Sequence, residues 1–137
     1  MTKYQKILEY ISYFENVSYD EACHWGGGEE SGDGTITMGY PIYSRELKSF
    51  IYEVYKTDLF DINYGGTLEE YRLPMSHQLA GAIDTADIEL TKAILTCYIR
   101  QERFCEGLWG EAVKNRVFLK LLLRLRQLLL EIILKMK

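Results

Sequence analysis

The chain has 137 residues, of which 47% are hydrophobic and 13% aromatic. This composition excludes a disordered chain, and the length favours one compact domain over residues 1–137. The net charge of -4 is unevenly distributed: residues 1–115 include 10 basic and 19 acidic side chains, and residues 116–137 include 6 basic and 1 acidic. The acidic charge of residues 1–115 disfavours nucleic-acid binding, because it repels the phosphate backbone.

The N-terminal part of the chain predicts two helices. Residues 3–16 place apolar side chains on one face at helical spacing, which is the pattern of an amphipathic surface helix. Ser18 and Glu21 have the spacing of a capping box, in which each residue caps the other across the first turn. This predicts a short second helix from Tyr19 until Gly26 ends it.

The next stretch is rich in glycine. Six glycines fall between residues 26 and 39, and Asp33-Gly34 is a turn signal. We therefore predict a glycine-rich mobile loop over 26–34 and a short extended or hairpin segment near residues 35–43. The loop lacks the lysine and hydroxyl of a nucleotide-binding loop, so phosphate binding there is disfavoured.

Helices return after this loop. Ser44 is a good N-cap, and the residues that follow it have apolar side chains at helical spacing. Thr67 and Glu70 again have capping-box spacing, which predicts a short helix that ends before Pro74. The chain up to this point is thus mainly helical.

Two long helices are predicted at the C-terminal end. The first covers 86–106, is capped by Thr85 and ended by Gly107, and has two apolar faces, which indicates a central position. The second is a hydrophobic helix over about 117–136, where fourteen of twenty residues are apolar. Together the elements predict a mainly α fold, a single-domain helical bundle.

The end of the first long helix, IRQERFCEG, concentrates charge. Arg100 and Arg103 lie between its two apolar faces, while Glu102 and Glu106 flank one of them, so these charges are partly buried and need partners. One interpretation is a network of salt bridges and hydrogen bonds that locks the helix to its neighbours. The other is an anion-binding site, in which the two guanidinium groups bind a carboxylate or phosphate and a glutamate orients it or moves a proton.

These residues also carry a resemblance. RQERFCEGLWGEAV, followed by LLLRL and preceded by YPIYSRELKSFIYEVY and INYG, resembles an uncharacterised bacterial family of small proteins, domain of unknown function 6508. The resemblance covers roughly residues 38–126, and its core is an RxERFxxG pattern that implies no activity. The family pattern has glycine near the start of the last helix, where this chain has Arg116; Asn115 beside it tolerates left-handed geometry.

The last helix needs cover for its apolar surface. The monomer core, a second copy of the chain or an anionic membrane surface could provide it, and we favour the first two. A membrane span is disfavoured because no apolar run exceeds three residues. On the apolar side, Arg126 is predicted to pair with Glu102 or Glu106, either of the same domain or of a partner chain. The candidate interface residues are Leu121, Leu125, Leu128, Leu129 and Ile132.

The cysteines indicate a reducing environment. Cys23, Cys97 and Cys105 are odd in number and form no CxxC pair, so we expect free thiols in the cytoplasm. A zinc site would have to join them with His24, and ligands at adjacent positions are unusual. No metal and no cofactor are therefore predicted.

The sequence leaves two classes of function open. We expect a small cytoplasmic bacterial protein that acts as a non-catalytic binding or interaction module, forms a homodimer and has an unknown protein partner. The alternative is an enzyme or ligand-binding protein for an anionic small molecule, with Arg100, Glu102 and Arg103 at its site.

Overall fold

A computed structural model describes residues 3–30, 32–36, 38–76 and 78–136. Helices dominate this part of the chain, which confirms the mainly α prediction. Two further 3₁₀ segments cover Ala80–Thr85 and Gln101–Arg103. The helices are α1 (Gln5–Leu8), α2 (Tyr10–Asn16), α3 (Tyr19–Ala22), α4 (Arg45–Tyr55), α5 (Tyr64–Glu70), α6 (Ile88–Arg100), α7 (Leu108–Lys114) and α8 (Val117–Lys135).

A two-stranded antiparallel sheet follows α3. Strand β1 (Cys23–Gly26) pairs with β2 (Tyr40–Tyr43), and Cys23 lies opposite Tyr43. The predicted extended segment is confirmed at its C-terminal end, where it forms β2. The capping box of Ser18 is also present, but the helix that it begins ends at Ala22 and not at Gly26. Pairing with β2 supplies partners for the backbone of β1, and this outweighs the local helical signal.

The glycine-rich loop connects the two strands. Glu30 and Ile36 form an isolated antiparallel bridge across it, so the hairpin continues for a short distance beyond the sheet. Ser31 and Thr37, which belong to the predicted loop and extended segment, lie outside the described residues. The mobility of this loop stays a prediction.

Two of the predicted caps differ from the observed ones. Asp87, and not Thr85, caps α6, because its carboxylate accepts a hydrogen bond from the backbone N–H of Leu90 at 2.9 Å. Thr67 lies inside α5, where its hydroxyl donates to Asp61 Oδ2 at 2.7 Å. Thr67 therefore has capping chemistry but uses its hydroxyl for a contact with Asp61, outside the helix.

Helices α6 and α8 are the central helices of the bundle. Nine of the thirteen residues of α6 are buried, as its two apolar faces predicted. α8 packs against α6, α7 and α2, and its Phe118 meets two other aromatic rings. Phe14 of α2 and Phe50 of α4 lie with ring centres 5.6 Å and 5.3 Å from Phe118, so three helices share one aromatic cluster.

Only the first half of α8 is buried in the core of the molecule. Its six buried side chains all lie between Val117 and Leu125, whereas most side chains from residue 126 onward are exposed. Leu121 and Leu125 are each only 1% exposed. These two predicted interface residues are therefore core residues of the monomer, which corrects that part of the prediction. No helix in the described ranges combines the length and apolarity that crossing a bilayer requires.

The joint between α7 and α8 has unusual backbone geometry. Arg116 adopts a left-handed conformation with φ of 60°, while Asn115 has φ of −89°. The left-handed residue of this joint is therefore Arg116 itself and not Asn115. Arg116 occupies a conformation that glycine adopts at lower cost.

Candidate functional site

The carboxylate of Glu102 holds the connection between α6 and α7. It is half-buried, and one oxygen accepts the backbone N–H of Gly107 at 3.0 Å while the other accepts that of Trp109 at 2.9 Å. The hydroxyl of Tyr43, at the end of β2, lies 2.8 Å from both oxygens. One side chain therefore ties the 3₁₀ segment after α6 to the first turn of α7 and to the sheet.

Tyr43 and Trp109 form the walls around this carboxylate. Their ring centres are 5.1 Å apart, and Trp109 Nε1 donates to the carbonyl of Ile99 at 3.0 Å. Burial and the neighbouring Glu102 carboxylate raise the pKa of Tyr43 far above its ordinary value. The phenol therefore stays protonated and acts as a donor over the whole physiological pH range.

Gly107 fits this arrangement for two reasons. Its φ of 93° lies in the left-handed region, and an added Cβ would sit 2.7 Å from Cζ2 of Trp25. Trp25, on β1, donates in turn from Nε1 to the hydroxyl of Tyr19 at 3.0 Å. We call the set Tyr43, Glu102, Gly107 and Trp109 the Glu102 lock.

The predicted anion-binding residues are only partly brought together. Arg100 and Arg103 line one shallow cavity of about 220 Å³ with Glu102, Tyr55 and Trp109. Neither arginine takes part in the ion pairs found among the described residues. The guanidinium of Arg103 lies 4.8 Å from the ring centre of Phe104 and is exposed. The expected salt-bridge network is thus replaced by hydrogen bonds from backbone N–H groups and a phenol.

Arg126 and Glu106 do not have the partners that the sequence predicts for them within the described part of the chain, while a pairing of Arg126 with a partner chain stays a prediction. Arg126 lines a groove with Glu9 and not the cavity that Glu102 lines, because the second half of α8 runs beside the N-terminal helices. It forms no ion pair within the described part of the chain, and it is exposed, so water solvates it and no acidic partner is needed. Glu106 is exposed and does not take part in the Glu102 lock.

The three cysteines occupy different environments. Cys23 and Cys97 are buried, and burial raises the pKa of both, that of Cys97 to about 11. The thiol of Cys97 donates to the carbonyl of Ser76 at 3.3 Å. Cys105 is exposed. Within the described ranges, no group of three or more histidine, cysteine and acidic side chains is arranged to hold a metal.

Sequence reasoning missed the aromatic members of the site. Tyr43 precedes the cap of α4, and Trp109 follows Gly107 by two residues, yet both read as ordinary aromatic residues of a globular core. A usable signal was present in the glycine, because a loop glycine often marks a close approach of another group to the backbone. This signal indicates a bulky side chain next to Gly107, which is Trp25, but it does not indicate Tyr43 or Trp109.

Fold and site define a class: a small, mainly helical protein in which one carboxylate fixes the loop between two core helices. The chain belongs to DUF6508, a family of unknown function, whose model matches residues 1–131. This confirms the family resemblance and extends it over most of α8. No curated protein and no solved structure shows significant similarity to the chain.

Proposed function

We propose that the protein is a non-catalytic binding module that assembles as a homodimer through the exposed end of α8, residues 126–136, here called the α8 overhang. The observation that carries the proposal is the apolar surface of this segment. Leu130 and Leu134 are 53% and 68% exposed, and Met136 is 80% exposed. Ile132 and Ile133 are also exposed, so the apolar surface continues around the helix.

An apolar groove lies directly beside this surface. It has a volume of about 320 Å³ between α1, α2 and α8, and Leu8, Ile11 and Leu129 contribute to its walls. Glu9 and Arg126 add one acidic and one basic group to the groove. The overhang itself carries Glu131 and Lys135, so a second copy running antiparallel offers an opposite charge to each.

The free energy available from covering the overhang is substantial. Burying the exposed half of a leucine or isoleucine contributes about 1 kcal/mol, so the four exposed leucine and isoleucine side chains of the overhang contribute about 4 kcal/mol per copy. Leu128, Leu129 and Ile132 remain candidate contacts from the predicted interface, since α8 leaves them half-buried or exposed. A second copy matches this surface because an isologous interface brings the same patch from both partners together.

Light scattering at micromolar concentration tests the dimer. We expect a mass of twice the 16.0 kDa of the chain. The double variant Leu130→Gln/Leu134→Gln removes apolar contacts and is expected to raise the dissociation constant at least tenfold. Ile62→Gln is the matched control, because Ile62 is 89% exposed and does not belong to the overhang. A monomeric wild-type chain contradicts the proposal, and so does a double variant that dimerises like the control.

A membrane surface is the other occupant that suits a cationic amphipathic helix end. Sedimentation with vesicles that contain phosphatidylserine distinguishes the two at low salt. We expect the protein to stay in the supernatant, because the dimer buries the overhang. Sedimentation of the wild-type chain, but not of Leu130→Gln/Leu134→Gln, assigns the overhang to lipid and contradicts the dimer.

A second candidate function is anion binding at Arg100 and Arg103. It is favoured by one observation, namely that both guanidinium groups line the same cavity without an ion pair to any described residue. The carboxylate of Glu102 already accepts two backbone N–H groups and the hydroxyl of Tyr43, so it is a poor candidate for proton transfer. The candidate is therefore a binding site for phosphate or a carboxylate, and the enzyme interpretation has little support.

Thermal unfolding with inorganic phosphate and with citrate tests this second candidate. If the site exists, millimolar anion raises the Tm of the wild-type chain and fails to raise that of Arg103→Ala. Arg126→Ala is the matched control, because it removes one exposed arginine that does not line this cavity. Equal Tm shifts in wild type and both variants contradict the site.

The cellular location is also a proposal. We infer a bacterial cytoplasmic protein from three free cysteines, which an oxidising compartment would tend to pair. Fractionation of a bacterial host that expresses the full chain from its own gene tests this inference. Recovery of the chain from the periplasmic fraction contradicts it.

A further inference from the structure

A second, larger cavity lies on the other side of α7. It has a volume of about 650 Å³ and opens between the Ala80–Thr85 segment, α7 and the start of α8. Four buried side chains form its apolar floor, those of Tyr98, Leu108, Ala112 and Val117. We call it the α7–α8 pocket. Its volume is typical of sites that hold small molecules.

Polar side chains surround this apolar floor. Gln78, Glu111, Asn115 and Lys120 line the pocket and are exposed. No hydrogen bond or ion pair of these four side chains is found within the described part of the chain. This differs from the Glu102 lock, where every oxygen of the carboxylate has partners. The rim therefore offers polar groups that a ligand could bind without breaking a bond inside the protein.

The charges on the rim indicate the class of ligand. Glu111 on α7 and Lys120 on α8 are one acid and one base, so the pocket as a whole is close to neutral. They form no ion pair with each other, which leaves both free for a ligand. A polyanion would meet repulsion from Glu111, and a purely apolar ligand would leave both charges unused.

We propose that the α7–α8 pocket binds a small amphipathic zwitterion: an apolar body on the floor, an ammonium group at Glu111 and a carboxylate at Lys120. The amides of Gln78 and Asn115 supply further hydrogen bonds at the rim. Amino acids with large apolar side chains belong to this chemical class. The site does not depend on the dimer, because it uses no residue of the α8 overhang.

Cys105 provides a direct reporter of occupancy. Its thiol lines the pocket and is exposed, whereas Cys23 and Cys97 are buried and serve as internal references. The full-length chain is treated with N-ethylmaleimide, and alkylation of each cysteine is followed by mass spectrometry. We expect millimolar L-phenylalanine or L-leucine to slow alkylation of Cys105 and to leave the two buried cysteines unchanged.

Matched probes test the requirement for both charges. 3-Phenylpropionate keeps the carboxylate and lacks the ammonium group, and phenethylamine has the reverse pattern. Each is expected to need at least about tenfold higher concentration than L-phenylalanine for the same protection, because one charge-assisted hydrogen bond is lost. Glu111→Gln and Lys120→Met are expected to weaken protection by L-phenylalanine to a similar degree.

Each outcome of the alkylation experiment either supports or overturns the proposal. Protection that requires both charges and both rim residues supports the site. Equal protection by 3-phenylpropionate or phenethylamine overturns the zwitterion assignment, and absence of protection by either amino acid up to about 20 mM overturns the site itself. Circular dichroism of the two variants verifies folding, which we expect to be unaffected because both side chains are exposed.

Discussion

The two sides of α7 use their polar side chains in opposite ways. At its N-terminal end, the carboxylate of Glu102 accepts hydrogen bonds from Tyr43 and from the backbone of Gly107 and Trp109. On the side of the α7–α8 pocket, Glu111 and the other rim groups have no hydrogen-bond partner in the described residues. The first group stabilises the fold, and the second remains available to a ligand.

This difference shows that a concentration of charged residues in the sequence does not by itself mark a binding site. The RxERFxxG segment attracts attention because it concentrates charge, yet its glutamate is committed to backbone geometry. The rim residues are spread over positions 78 to 120 and form no motif. We therefore expect variants of the Glu102 lock to lower the free energy of unfolding, and variants of the pocket rim to change ligand binding instead.

The largest expected effect belongs to Glu102→Gln. The amide keeps the shape of the carboxylate but places an N–H group against a backbone N–H of either Gly107 or Trp109, so one donor loses its acceptor. We expect urea denaturation to show a loss of about 2–3 kcal/mol in the free energy of unfolding. Glu106→Gln removes a neighbouring exposed charge and should stay within about 0.5 kcal/mol of wild type. Similar losses for both variants would contradict the lock.

Gly107→Ala is expected to cost about 2 kcal/mol. The alanine has to adopt a left-handed backbone conformation. Its Cβ also has to displace the ring of Trp25, which would lie 2.7 Å away. Gly28→Ala is the matched control, because Gly28 also has a positive φ of 75° but meets no atom within 4 Å. The control isolates the backbone cost, and the excess for Gly107 measures contact with Trp25. Equal losses would show that this contact does not matter.

Tyr43→Phe should cost about 1 kcal/mol at neutral pH through the lost hydrogen bond to Glu102. It should also change the alkaline limb of the stability profile. Because burial raises the pKa of Tyr43 above its ordinary value of 10, the folded chain keeps a proton that the unfolded chain releases. The unfolded state then binds fewer protons, so stability falls by about 1.4 kcal/mol per pH unit above pH 10.

The variant Tyr43→Phe lacks this contribution. Its free energy of unfolding should therefore fall less steeply than that of wild type above pH 10, and the difference between the two chains should shrink. Urea denaturation at pH 8, 9, 10 and 10.5 measures both profiles. Parallel profiles over this range would show that Tyr43 does not titrate abnormally.

The smallest effects on stability are expected on the pocket side. Glu111→Gln and Lys120→Met alter exposed side chains without hydrogen-bond partners among the described residues, so each should change the free energy of unfolding by less than about 0.5 kcal/mol. The same denaturation assay measures them beside Glu102→Gln. A loss above about 1 kcal/mol for either variant would show that the rim is also structural.

The sequence predicted what depends on local periodicity. The central position of α6 follows from its two apolar faces, and the cap at Ser44 is present, with its side chain accepting from Leu47 at 3.1 Å. α8 was predicted over about 117–136 and is observed as Val117–Lys135. These features follow from side-chain spacing and short-range hydrogen bonds, which a single sequence carries.

The sequence could not predict what depends on contacts between distant residues. β1 was assigned to a helix because its pairing with β2 involves residues 14 to 20 positions away. Glu102 was expected to form salt bridges or bind an anion, but its partners are backbone groups and a tyrosine 59 positions earlier. No periodicity encodes such a partner. The pocket likewise joins residues from four segments and has no local signature.

The uneven exposure of the three thiols has a practical consequence. With Cys23 and Cys97 enclosed in the interior, Cys105 is the cysteine that can meet another chain during purification. Air oxidation would then join two molecules by an intermolecular disulfide and yield a particle of doubled mass unrelated to the α8 overhang. Hydrodynamic work on this protein consequently calls for a reductant or a Cys105→Ser background.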